Sequence, residues 1–126
     1  MNNLWAVQQA IYAALVAIPA TYPVYDAVPQ GVAKPYIVIG EFVGEPDEDL
    51  AAASTDLALN LHTWSATAGK SQSHAMLDFI RLRLDGQVLG GAWAIGEDFV
   101  ELMEDEGSTA TARIYHGVAR YRVRVG

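Results

Sequence analysis

Chemistry in this chain has few side chains to draw on: three histidines, fifteen carboxylates and no cysteine. Without cysteine there can be no thiolate metal site, iron–sulfur cluster, thiol nucleophile or disulfide. His62, His74 and His116 lie in three separate segments. No two of them share the four-residue helical spacing common in zinc sites, so no metal is expected. Ser73, His74 and Asp78 have the residue types of a catalytic triad. Neighbours on a helix point about 100° apart, however, and cannot bond as nucleophile and base. His74 and Asp78 read instead as a one-turn surface pair. The acids Glu45, Asp47, Glu48 and Asp49 flank Pro46 without the glycine and distal glutamate of a calcium loop, and read as solvated. Glu97 and Glu101 on a strand would share a face about 13 Å apart, beyond the separation glycosidases use. Gly86, Gly90, Gly91 and Gly96 match neither a phosphate loop nor a dinucleotide fingerprint. No catalytic constellation and no cofactor site emerges.

The elements that would position these groups belong to one domain covering residues 1–126. The composition is 52% hydrophobic and only 18% charged, against a usual charged fraction of about 25%. A small domain cannot hide that much apolar surface in one core, which points to subunit contacts. Eight basic against fifteen acidic residues leave a net charge of −7, the wrong sign for a general binder of nucleic acid or anionic membrane. The apolar run Ala10–Ala20 is too short to span a bilayer and has no Lys or Arg before it, so neither a membrane span nor a signal peptide is expected.

Leu4, Val7, Ile11, Leu15 and Ile18 recur at helical steps, with Asn2 or Asn3 available as a cap and Pro19 as the stop. A proline-rich surface connection follows, anchored by Tyr22, Tyr25 and Val28. Tyr36–Val43 is β-branched and aromatic, and Asp56–Ser65 alternates with period two, which predicts two strands. Ser71 or Ser73 caps a second helix with an apolar stripe of Met76, Leu77, Ile80 and Leu84, stopped by Gly86. Ala92–Glu104 and Thr111–Val125 should pair as a hairpin. The expected fold is α+β in the order αββαββ: a four-stranded, largely antiparallel sheet with two helices packed on one face.

Alternation in the last strand puts Tyr115, Ala119, Tyr121, Val123 and Val125 on one face. Val118, Arg120, Arg122 and Arg124 fall on the other, the arginines roughly 7 Å apart, with Ile95, Glu97, Phe99 and Glu101 expected beside them. No aromatic platform accompanies these arginines, so ion pairs within or between subunits are expected rather than a nucleic-acid track.

Four segments in this order resemble the tail-terminator, or tail-completion, family of long-tailed bacteriophages and gene transfer agents: AIYAAL (Ala10–Leu15), VYDAVPQGVAKPYIVIG (Val24–Gly40), LHTWSATAGKSQSHAM (Leu61–Met76) and YHGVARYRVRV (Tyr115–Val125). The motif positions matched are Asp26, Pro29, Gly31, Pro35 and Tyr36 in the connection, Trp64 in the second strand, and Tyr115, Gly117, Tyr121 and Arg122 in the last. The resemblance implies a non-enzymatic virion protein of the tail or neck, assembled in the host bacterial cytoplasm. Its partners would be further copies in a ring, usually of six, a tail-tube protein, and a head-completion or connector protein. DNA would traverse the lumen without specific binding. On this reading Arg113, Arg120, Arg122, Arg124, Glu97 and Glu101 are candidates for subunit or docking contacts. Glu45, Asp47, Glu48 and Asp49 are candidates for the lumen or an axial surface. The alternatives are another neck or tail-tube protein, or a small-molecule-binding α+β domain.

Overall fold

The computed structural model describes residues 4–17, 21–43, 55–67, 69–90 and 93–125. Its elements are α1 (Leu4–Val16), β1 (Val24–Tyr25), β2 (Tyr36–Val43), β3 (Thr55–Ser65), α2 (Ser71–Leu84), β4 (Gln87–Leu89), β5 (Trp93–Glu104) and β6 (Tyr115–Val125). The caps Asn2 and Asn3, Pro19 and the acids 45–49 lie outside the described residues.

The spine is the antiparallel pair β3–β6, in register from Thr55 opposite Val125 to Ser65 opposite Tyr115. Alternation then divides the sheet. Leu57, Leu59 and Leu61 lie across from Val123, Tyr121 and Ala119, and all six are buried. Helix α1 adds Val7, Ile11 and Leu15 to the same core, and α2 adds Met76, Leu77, Ile80 and Leu84, each at the three- and four-residue steps of one helical face. Neither expected serine caps α2, whose N-cap position falls on Lys70 without a side-chain hydrogen bond. Ser73 is instead buried, its Oγ 2.6 Å from that of Ser65, which ties the start of α2 to the end of β3.

The expected four-stranded, largely antiparallel sheet is not what forms. The sheet has six strands in the order β1-β2-β3-β6-β5-β4, is mixed, and curls into a half-barrel. The mixed character comes from β1, which pairs parallel to β2, with Ile37 N–H donating to Pro23 O at 2.9 Å. Both missed strands are edges, two and three residues long, too short for alternation to register in the sequence. Of the expected anchors in that connection, Tyr22 packs edge-on to Phe79 and Tyr25 to Tyr36, whereas Val28 is exposed and Val24 is the buried residue in its place. The last strand begins at Tyr115 rather than Thr111, because Thr109 and Ala112 exchange backbone hydrogen bonds in a turn.

Two bulges set which side chains reach which face. In β5, Glu97 lies opposite Tyr121 and Phe99 opposite Arg120, so Asp98 is an extra residue. In β2, Ile39 faces Leu61 and Phe42 faces Leu59, so Gly40 and Glu41 together span the position of Asn60.

Candidate functional site on the sheet face away from the helices

A connected group of polar and aromatic side chains occupies the sheet face turned from the helices. Arg120 Nε donates to Asn60 Oδ1 at 3.0 Å, and Asn60 Nδ2 donates to Glu41 Oε1 at 2.7 Å. The other Glu41 oxygen is 3.2 Å from His62 Nε2, and His62 Nδ1 is 2.7 Å from His116 Nε2. His116 stacks on Trp64, ring centroids 4.0 Å apart and planes within 6°. The Arg120 guanidinium also lies 5.9 Å from the centre of the Phe99 ring. One chain of contacts thus runs across β2, β3, β6 and β5.

Each link depends on local sequence. The β2 bulge swings Glu41 towards β3. Gly40 makes room there: a Cβ on it would come within 2.7 Å of the His62 ring and 2.9 Å of Asn60 O. The hydrogen bond from Asn60, foremost, holds the Glu41 carboxyl below the ordinary carboxylate value. Burial, and secondly the His62 charge, hold His116 below the ordinary imidazole value.

The candidates named from sequence separate. Arg120, Arg122 and Arg124 do share this face, with Asp98 3.4 Å from Arg122. Glu97 does not join them. It continues the alternation of Ile95 on the helix side, where Arg81 of α2 holds it through Nε and Nη2, both at 3.0 Å, and the Asp98 bulge turns only the residues beyond it to the far face. Ile95 likewise falls on the helix side and is buried. Glu101, beyond the bulge, lies opposite Val118 on the far face. Arg113 pairs with Glu104 at 2.7 Å beside the β5–β6 turn. Of the residues expected beside the arginine row, Phe99 and Glu101 share its face, whereas Ile95 and Glu97 do not.

Among the motif positions, Asp26 accepts from Gln8 Nε2 at 3.5 Å, and Gly31 takes a φ of +83°. Pro29 is exposed, Pro35 follows a cis peptide bond, and Tyr36 meets Tyr25 edge-on at 6.0 Å. Tyr115, Gly117 and Tyr121 lie on the buried face.

The triad types do not converge: Ser73 is buried against Ser65, His74 is exposed, and Asp78 pairs with Arg81 at 3.1 Å. Among the described residues no group of three or more His, Cys, Asp or Glu side chains is placed to hold a metal ion. A groove of about 660 Å³ between α1 and the β1 edge, lined by Trp5, Gln8, Tyr12, Val16, Tyr25 and Asp26, is mostly apolar and offers one carboxylate. The meeting of His62 and His116 escaped sequence reasoning, although both fall on the face of Trp64 and the arginines. Alternation gives the face of a residue, but only the β3–β6 register brings these two together.

The profile of the tail completion protein gp17 family matches residues 9–126. The chain belongs to that family. It is accordingly a structural protein of the virion tail. Among solved structures, a chain of the virion of a native gene transfer agent (GTA) particle is similar, with a TM-score of 0.71, 25% identity and 96% of each chain covered. Comparison with curated proteins gives no significant match. No helix among the described residues is long and apolar enough to cross a membrane.

Proposed function

We propose that this protein acts without catalysis, as a ring that caps the head-proximal end of the tail tube, ends its polymerisation and joins tail to head. The family match over residues 9–126 carries the reading. Head-to-tail contacts between copies close into a ring when the rotation between neighbours divides a full turn, and six copies are proposed. Termination then needs one axial surface that fits the tube and another that refuses the next tube ring. The tube protein and a head-completion or connector protein are its proposed neighbours. Arg120, Arg122 and Arg124 line a sheet face that neither described helix covers, which favours that face for contact with acids of a neighbouring subunit. The net charge of −7, to which Glu45, Asp47, Glu48 and Asp49 contribute, suits a lumen through which DNA slides without being held.

Light scattering over a concentration series, at low and high salt and with or without tail tubes, tests the reading. A discrete ring, or a monomer that assembles only on tube ends, is expected. A monomer indifferent to tubes and salt, with a small ligand that raises its melting temperature, overturns it in favour of a binding domain using the α1–β1 groove. Arg120→Glu with Arg122→Glu should abolish assembly; unchanged assembly and salt sensitivity remove the arginine face from the interface.

A further inference from the structure

His62 Nδ1 and His116 Nε2 face each other at 2.7 Å, and two nitrogens at that distance have room for one proton between them. We infer that the His62–His116 pair is a proton-operated latch across β3 and β6, closed while one shared N–H bridges the rings and opened when both rings become imidazolium. The inference concerns the folded chain itself and does not depend on ring formation.

The proton count follows from the contacts. In the neutral pair His62 donates its Nε2–H to Glu41, so its Nδ1 is an acceptor and His116 Nε2–H fills the gap. One added proton is tolerated: taken at His116 Nδ1, it leaves the shared bond intact. A second must go to His62 Nδ1, where two N–H groups meet head-on and two positive charges sit side by side. The bond then cannot exist, and one ring must leave.

The surroundings decide which one. His62 is seated over bare Gly40, where even a Cβ would come within 2.7 Å of the ring, and its Nε2 is gripped by Glu41. His116 is held by the shared bond and by its stack on Trp64, so it is the ring that swings away and uncovers the indole. Glu41 on β2 and Glu101 and Asp105 on the β5 side favour charging His116, while the His62 charge and burial oppose it. Arg120 on β6 enters through Asn60 and Glu41, and Tyr36 of β2 lies across from Trp64. Opposed groups of this kind split the pair's titration into two coupled steps.

The test is imidazole ¹⁵N NMR of the full chain from pH 8 to 4.5, with fluorescence of Trp64 in a Trp5→Phe, Trp93→Phe background. The exposed His74 serves as the internal reference. In the parent chain the Trp64 signal should change together with the later of the two coupled steps. In His62→Gln the His116 midpoint should move up, towards free histidine, and Trp64 should lose the two-step response. Independent single-site curves for His62 and His116, unmoved by His62→Gln, overturn the latch, as does a Trp64 signal that ignores His116. Gly40→Ala retains both histidines and displaces the His62 seat, so a soluble Gly40→Ala chain with the parent's coupled titration overturns it as well.

Discussion

Gly117 of β6 lies opposite Thr63 of β3, so closely that a methyl group on Gly117 would overlap the buried Thr63 Oγ1. Leu77 of α2 sits over the same spot, so neither side chain has space to retreat. Gly117→Ala should therefore cost about 1–3 kcal/mol by overpacking. Adding Thr63→Ala to it should recover most of that loss in urea denaturation; a double variant as unstable as the single one would place the strain elsewhere.

The Asp98 bulge makes a second prediction about two glutamates four residues apart. Glu97→Lys sets a cation against Arg81 and should lower stability measurably but modestly, since the pair it breaks is partly solvated. Glu101→Lys, exposed on the far face, should stay within about 0.5 kcal/mol. Equal losses in thermal melts would mean that the two residues share a face and that the bulge is absent.

Tyr121 is fully buried, and its hydroxyl has no hydrogen-bond partner among the described residues. Burial, foremost, pushes its ionisation far above the usual phenol range, so the group stays neutral. Removing an unsatisfied buried hydroxyl takes away a desolvation cost. Tyr121→Phe should be neutral or stabilising by up to about 1 kcal/mol, read as the urea midpoint. A clear loss of stability would reveal a partner for that oxygen.

Stability should fall on acidification in two ranges. His116 is held below 6.5, so between its folded value and 6.5 the unfolded chain binds more protons. Its contribution is complete above 6.5 and is lost as pH falls through that window. Glu41, held below 4.5, has the same sign lower down: its contribution is present above 4.5 and is lost as pH falls below it. Denaturant midpoints between pH 7.5 and about 2.5 check both, and His116→Gln should flatten the upper range only.

Much of the architecture was legible locally. The faces of β3 and β6 followed from alternation, and the apolar stripes of both helices from their three- and four-residue steps, because each reports burial of one side of a regular element. Of the candidate site, the arginine row was legible for the same reason. The separation of Glu97 from Glu101 onto opposite faces was not, because an added residue in β5 inverts the alternation, and no periodicity marks where the insertion falls.

Sequence alone therefore determined the faces of β3 and β6, the acidic balance and the family resemblance, all of which depend on residue type and near neighbours. Tertiary structure decided the rest. The parallel edge strand β1 exists because Ile37 finds Pro23 after the ten-residue connection 26–35, and β4 because Gln87–Leu89 folds back on β5. His62 and His116, 54 residues apart, meet because β3 and β6 pair in one register among many that alternation permits. That choice is made by the whole core, where a two-residue slip would keep every apolar residue on the buried face yet part Thr63 from Gly117 and His62 from His116.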